Sequence, residues 1–431
     1  MSKLEGDLPP AFPARLDLLV AGGDLVDPET GRRGRYDIGV VGGRVAVVAE
    51  EVPRRLAAQV VDARGCLVLP GLVDLHTHIF AGATYWGIGP APLAWRTGVT
   101  SWVDAGSAGA YNVKALRRYC AGMAPLRAKA FLNISAIGLV AQTGECTRDE
   151  LCAADLCAAT LAEHDGFLVG VKCRVDRAAT GDMGLEPLRR AVRAAATAEV
   201  PVMVHIGAGP PDIDDVLDLL RPGDIVTHCM TGQGMSLLSP SGRPRPSAVS
   251  ARERGVVFDV GHGSGSFSFS VAEAMLASGL PPDVISSDSH QFSVAGPCFD
   301  LPTCMAKFLA LGMDLDDVIR AVTVSPALAI GVTDAGLLDV GKPADLAIFE
   351  VAEGDFVLFD STLASRRADR LLVNRATLVA GTLLRPLAPE PPASWVQLSE
   401  AQRELFEREE AELREPWAAS FTSAERFTPW G

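Results

Sequence analysis

The chain has 431 residues, 48% of them hydrophobic and 21% charged, and carries a net charge of −14. That length accommodates one large barrel with a smaller domain, or two to three average domains, and that apolar content builds a core able to offset the entropy of folding. A surface this acidic repels phosphate backbones and anionic lipid, which argues against nucleic-acid and membrane partners. It leaves a small-molecule substrate, itself anionic where a local site opposes the global sign.

In chain order, Met1–Pro13 has acids and prolines but no apolar stretch of the kind a signal peptide needs. From Leu16 to Val61 short apolar runs are punctuated by Gly-Gly pairs and Asp-Pro, which predicts a small antiparallel β unit. A matching pattern returns at Pro343–Glu350, Arg370–Asn374 and Thr377–Gly381, so 14–66 and 336–392 are expected to build one β-sandwich with 67–335 inserted between them. In that insert, buried-strand runs occur at Cys66–Leu75, Val99–Asp104, Ala128–Ser135, Phe167–Cys173, Val200–Ile206, Asp224–His228, Val256–Val260 and Asp283–Asp288. Helical segments such as Arg148–Glu163, Leu185–Glu199, Asp212–Leu220, Ser268–Ser278 and Leu315–Val324 alternate with them. Eight strands alternating with helices predict an α/β fold, a (β/α)8 TIM-type barrel, with a doubly wound open sheet as the competitor. Residues 397–431 are expected to form a C-terminal helix and tail; the charge-laced opening, Leu398 onward, reads as a surface helix, with a contact in a homo-oligomer as the alternative. No run of 18 or more apolar residues occurs. The nine cysteines are odd in number, scattered and without a C-x-x-C pair, which reads as reduced thiols in a cytoplasmic protein.

Chemistry concentrates in the histidines: His76, His78, His164, His205, His228, His262 and His290. Five of the seven lie at or just beyond the C-terminal end of an expected strand. His76 and His78 are two residues apart, and in a strand positions i and i+2 share a face, so both imidazoles reach one metal from a rigid element. His205 and His228 each end a strand; singly, either suits a hydrogen-bonded core position, whereas four imidazoles at one end of one barrel suit zinc. Asp288 ends the last strand, where a carboxylate ligates metal and moves protons or, more plainly, caps the next segment. Lys172 lies in the apolar run Gly166–Cys173. A buried ammonium costs several kcal/mol unless paired, which leaves an ion pair with a carboxylate or a neutral amine that captures carbon dioxide. Four further residues are candidates for substrate contact: Arg174, on the same face of its strand as Lys172 and suited to grip a carboxylate unless it serves a structural ion pair; His290; and the loop residues Tyr85 and His262.

The stretch Pro70-Gly-Leu-Val-Asp-Leu-His-Thr-His78 resembles the metal-binding opening of the amidohydrolase superfamily, and with Lys172, His205, His228 and Asp288 every ligand position of the dihydroorotase- and hydantoinase-like binuclear branch has a matching residue. Gly341-Lys-Pro-Ala-Asp-Leu346 looks like the return strand of that superfamily's β-sandwich. Val103–Gly109, Phe131–Ser135, Gly170–Arg174, Asp259–Phe267 and Phe299–Thr303 are similar to the amidohydrolase/deacetylase metallohydrolases, a sister group of dihydroorotases and D-aminoacylases. The resemblance implies two zinc ions sharing a hydroxide, one held by His76, His78 and Asp288, the other by His205 and His228, with N-carboxylated Lys172 bridging them and Asp288 shuttling the proton. It also implies cleavage of acyl groups from 2-acyloxy acids and N-acyl amino acids. Manganese, iron, cobalt and nickel accept similar ligands. Three rivals stand beside this expectation: a cyclic amide hydrolase using the same metals, a nucleobase deaminase, and a non-catalytic binding scaffold.

Overall fold

The computed structural model describes residues 13, 15–388, 393–405 and 407; the signal-peptide reading of the first residues and the tail beyond 407 fall outside them. Five strands open the chain: β1 (Leu16–Asp27), β2 (Arg32–Val41), β3 (Arg44–Ala49), β4 (Ala57–Asp62) and β5 (Leu67–Pro70). Seven follow in the middle: β6 (Leu72–Thr77), β7 (Val99–Ala105), β8 (Arg127–Asn133), β9 (Leu168–Arg174), β10 (Val202–His205), β11 (Ile225–Thr227) and β12 (Val257–Asp259). Three more come late: β13 (Leu346–Phe359), β14 (Ser365–Val379) and β15 (Thr382–Leu383).

The two chain ends share one sheet, ordered β15-β14-β13-β5-β1-β2-β3 with β4 beside β1. Its long first strand changes partner halfway. Leu16–Ala21 pair with β4, and Asp24 and Leu25 pair with β5. The register against β2 slips between Val20 and Gly23. Glycine is required at that bulge: Gly22 has φ +74, and a Cβ on Gly23 would lie 2.3 Å from Val68 Cγ2. Leu18, Val20, Leu25 and Ile38 from the N-terminal strands pack with Leu346, Ile348 and Leu378 from the C-terminal ones in one buried cluster.

Strands β6 to β12 form a parallel sheet in sequence order. The eighth barrel position is an extended segment, 284–289, joined by single bridges to β12 (Asp259 to Val284) and to β6 (Thr77 to Ser289). Backbone bonds tie it to β12 and the residues after that strand, among them Val260 N–H to Val284 O and His262 N–H to Ser286 O, and His78 N–H to Ser289 O ties it to the β6 side; side chains add to them. Ser286 Oγ donates to Asp259 Oδ1 at 2.6 Å, and the Ser287 backbone N–H donates to Asp74 Oδ1 at 3.0 Å. On the β6 side the Ser287 N–H goes to a carboxylate and not to a backbone carbonyl, so the segment expected as a strand is not paired as a regular one. Another expected strand, Cys66–Leu75, is two: β5 serves the end sheet, β6 serves the barrel, and at Gly71 between them the backbone N–H donates to Asp345 O. One apolar run therefore ties both sheets together.

Helices lie over the outside of the barrel. Glu186–Thr197, Phe269–Ala277 and Leu315–Val322 fall within the segments read as helical, while Leu301–Ala310 emerges from a stretch without that reading. Val171, Cys173 and Val204 pack with this outer layer, which leaves the alternate positions Lys172, Met203 and His205 for the site. Among the described residues no helix is long and apolar enough to cross a membrane.

Candidate metal centre

His76 is the penultimate residue of β6 and His78 follows the strand; Asp288 reaches them from the eighth segment. Asp288 Oδ1 lies 3.4 Å from His76 Nε2 and 3.2 Å from His78 Nε2, and ligand atoms of the three all fall within 4.8 Å of one another. Asp288 Oδ1 is also a buried oxygen without a hydrogen-bond donor. Buried polar atoms are rarely left so, because the cost is 1–3 kcal/mol or more for a charged group. Its backbone sits at φ +50, in the left-handed region that non-glycine residues seldom occupy.

The tautomers follow from the partners. Thr227 Oγ1 gives its one proton to Asp259 Oδ2 at 2.6 Å, so it accepts from His76 Nδ1 at 2.8 Å. His76 therefore carries its hydrogen on Nδ1 and turns the Nε2 lone pair to the site. His228 does the same, since Nδ1 lies 2.6 Å from Gly261 O, which only accepts. His78 Nδ1 contacts Ser107 Oγ at 3.0 Å, and the Ser107 backbone N–H donates to Asp104 Oδ1. Burial pushes the pKa of His76 and of His228 well below the usual imidazole value, with Lys172 adding to the effect at His76 and His205 at His228. Burial works against the Asp288 charge, but the facing His76, His290 and His78 outweigh it and hold the carboxyl well below its usual range.

Lys172 is fully buried on β9. Its Nζ lies 3.1 Å from His76 Nε2 and 3.4 Å from Met203 Sδ. Burial lowers its pKa to about 7, against the pull of Asp288 and Asp259. His205 ends β10, and its Nδ1 stands 2.7 Å from His228 Nε2, while its Nε2 is 3.4 Å from Asp176 Oδ2. His228, like Asp288, has a left-handed backbone, at φ +69. Only glycine fits the loop beneath: a Cβ on Gly261 would come within 2.9 Å of His228 Nδ1 and 3.0 Å of His76 Nδ1. Neutral imidazoles with inward lone pairs, an ionised carboxylate with a spare oxygen and an amine near neutrality form a donor set that fits divalent cations.

The four substrate candidates separate. His290 Nδ1 accepts the backbone N–H of Phe292 at 3.2 Å and of Ser293 at 3.4 Å, so Nε2 carries the hydrogen; that atom is 3.9 Å from Asp288 Oδ2. Burial takes its pKa down to about 4. His290 is thus a donor beside the cluster, opposite in tautomer to His76. Tyr85 lines a cavity at the barrel mouth, its ring stacked on Phe292. Arg174 does not offer the free fork expected of a carboxylate grip. Its Nε and Nη2 are 2.6 and 2.7 Å from the two Glu145 oxygens, a buried pair, and Nη2 also donates to Gln142 O. His262, read as a loop contact, is fully buried: Nδ1 lies 2.8 Å from Gly263 O, Nε2 lies 2.7 Å from Lys307 Nζ, and the ring stacks on Phe267. Neither ring nitrogen is left for a substrate.

Several supporting residues escaped the sequence reading. Trp86 sets its ring edge on His290 at 4.9 Å and donates Nε1–H to Gln142 O at 3.2 Å. Its signal was adjacency to Tyr85. Thr227, beside His228, and Asp259, which opens the stretch containing His262, were equally near named residues; Glu145 and Lys307 carried no local mark. His164 lies apart, its Nδ1 3.1 Å from Arg117 Nη1.

A parallel barrel that gathers four imidazoles, a carboxylate and a buried lysine at the C-terminal ends of its strands defines a metal-dependent hydrolase class. The profile of the amidohydrolase family matches residues 67–370. A deacetylase of Agrobacterium fabrum is 38% identical over 342 residues, 78% of this chain and 83% of the relative. A deacetylase of Enterococcus faecalis is 33% identical over 375 residues, 85% and 98% respectively. Among solved structures, an adenine deaminase superposes with a TM-score of 0.80 at 33% identity, covering 85% of this chain and 99% of its own. A dihydroorotase does so with 0.79 at 35% identity, covering 88% and 99%. This chain belongs to the amidohydrolase family and is a hydrolase.

Proposed function

We propose that the enzyme cleaves acyl ester or amide bonds of small carboxylates, namely 2-acyloxy acids and N-acyl amino acids, using two divalent cations, zinc by donor preference. His76, His78 and Asp288 would hold one, His205 and His228 the other, and N-carboxylated Lys172 would join them. The near-neutral amine supports that modification: it adds to carbon dioxide and releases a proton, leaving an anionic carbamate. The observation that carries the reading is Asp288 Oδ1, a buried oxygen without a donor, faced by two imidazole nitrogens.

Bound cations would supply Lewis acidity, polarising a carbonyl and lowering the pKa of water. The chain's own groups do the rest. Asp288, ionised, takes a proton from the attacking water and returns it to the leaving oxygen or nitrogen. His290 donates Nε2–H to an acyl or carboxylate oxygen. Arg174 acts at one remove, through the Gln142 carbonyl that it shares with Trp86. The deacetylase names of two relatives support the acyl class. The nine free cysteines fit a reducing, cytoplasmic setting.

A second reading, cyclic amide hydrolysis, is favoured by the similarity to the dihydroorotase. Zinc-loaded protein given one mixed panel, read by mass spectrometry, decides between them. The panel holds both enantiomers of O-acetyl 2-hydroxy acids and N-acetyl amino acids, with dihydroorotate, hydantoins and adenine. Single-handed loss of acyl compounds is the expected result. Ring opening would promote the cyclic amidase, loss of ammonia from adenine a deaminase, and a blank panel with metal bound would sink the acyl class.

A further inference from the structure

The cavity beside the cluster measures about 570 Å³, within the roughly 300–1,000 Å³ of small-molecule sites. It opens at the mouth of the barrel. Tyr85 and Trp86 from the loop after β6, Gln142 from the loop after β8, Ser264 from the loop after β12 and Phe292 from beyond the eighth segment form one side. The other side is the C-terminal segment, through Trp395, Gln397, Ser399, Ala401 and Gln402. That segment is attached to the loop that carries His290. Ala393 N–H donates to Gln291 Oε1 at 3.3 Å, and Gln402 Nε2 donates to Gly296 O at 3.4 Å. Leu405 is buried, with Cδ2 3.1 Å from where a Gly296 Cβ would stand. Gln291 in turn donates its backbone N–H to Trp86 O and its Nε2–H to Tyr85 O. The wall supplied by residues 393–405 and the aromatic wall are thus both tied to one glutamine, Gln291.

None of the described side chains lining this cavity carries a formal charge. Glutamine amides and serine hydroxyls alternate with indole and phenyl surface. A carboxylate placed there would find no counter-ion among these side chains and would meet the net charge of −14; a neutral group that both donates and accepts hydrogen bonds would be matched. His290 is the hinge between this space and the chemistry, since it touches Trp86 on one side and faces Asp288 on the other.

We propose that the C-terminal segment 393–405 and the Trp86 wall together form a specificity subsite for the part of the substrate remote from the scissile bond, and that this part is uncharged and amide- or hydroxyl-bearing. The inference rests on the acyl-hydrolase reading and adds to it the chemical class of the remote group.

Isosteric pairs test it: N-acetylglutamine against N-acetylglutamate, and N-acetylasparagine against N-acetylaspartate, each as a racemate. Binding to the zinc-loaded full chain is measured by calorimetry and cleavage is followed separately. The neutral member of each pair is expected to bind at least about tenfold more tightly, equivalent to about 1.4 kcal/mol. Trp395→Ala and Gln397→Ala, both at exposed positions, should weaken the neutral member, spare the charged one and collapse that ratio. A merely structural role would move both members together. Equal affinity within each pair, a ratio untouched by both substitutions, or no binding by any compound overturns the subsite. Compounds bound with the expected ratio but left uncut support the subsite and sink acyl hydrolysis. Compounds cut without any ratio sink the subsite and leave acyl hydrolysis standing.

Discussion

The two halves of the cluster reach the same donor chemistry by different construction. On the His76, His78 and Asp288 side, ligand atoms already converge, one imidazole is fixed by a Thr227–Asp259 pair from two other strands, and a carboxylate oxygen is held without a donor. On the Lys172, His205 and His228 side, polar atoms satisfy one another: His205 Nδ1 faces His228 Nε2, and Lys172 reaches across to His76. Support there is thinner, from Asp176 and from the Gly261 carbonyl. The first half is preorganised by a network that excludes alternatives. In the second, the His205–His228 contact must be exchanged before a cation is bound, and the Lys172–His76 contact, which touches both halves, must give way as well. The first should therefore bind metal more tightly and keep it longer.

The largest effect should come from Asp288→Asn, which removes proton transfer while retaining a carbonyl-type ligand. Turnover should fall by at least about 10²–10⁴-fold, the range of general acid–base contributions, with metal content by elemental analysis nearly unchanged. Unchanged turnover would remove Asp288 from the proton pathway. Lys172→Met acts on the other half. With the joining group gone, metal content should drop from about two ions per chain to about one, and the ion that remains should resist chelators as the tighter wild-type ion does. Loss of both ions, or of neither, would break the proposed division of labour.

The supports come next. Thr227→Val keeps the volume and deletes the hydroxyl that fixes the His76 tautomer. Outer partners of metal-bound histidines are worth about 10–100-fold in affinity, so this change should weaken the first half by that order. Asp176→Asn should do the same to the second half alone. Competition with a fluorescent chelator resolves the two; if either substitution weakened both halves equally, the cluster would be one cooperative site.

What could be read beforehand follows the same division. His76, His78, His205, His228, Lys172 and Asp288 were legible because strand alternation and strand ends are local properties, and a buried lysine in an apolar run is conspicuous on its own. The supports were not, because each comes from a separate strand: Thr227 lies 151 residues from His76, and Asp259 a further 32. For Arg174 the carboxylate grip and the structural ion pair both stood open, and the choice fell to Glu145, 29 residues away, which has no pattern that marks it as a partner. The eighth strand and the Cys66–Leu75 run misled for another reason. The first pairs with β12 through backbone bonds but meets β6 partly through the Asp74 carboxylate, and the break at Gly71 divides the second between two sheets.

The smallest effect should come from beneath the first half. Asp74 is fully buried and receives N–H bonds from Ser287 at 3.0 Å and His76 at 3.4 Å. Burial still raises its pKa to about 7, more than those bonds lower it. A carboxyl whose pKa is higher folded than unfolded binds an extra proton in the folded state between the two values. Its stabilising contribution is therefore complete near pH 4 and is lost as pH rises through 7. Asp259, raised to about 6, contributes in the same sense, while the buried imidazoles of His76, His228 and His290, whose pKa values are lowered, contribute in the opposite sense over the same window, so the Asp74 contribution is read as a difference in pH slope between wild type and variant, both metal-free. Between pH 5 and 7 the thermal stability of Asp74→Asn should rise relative to that of the wild type, because the variant lacks the proton that Asp74 gives up over that range. An unchanged slope would mean that Asp74 is already ionised in the fold, and that the first half rests on a permanent negative charge rather than on a neutral acid.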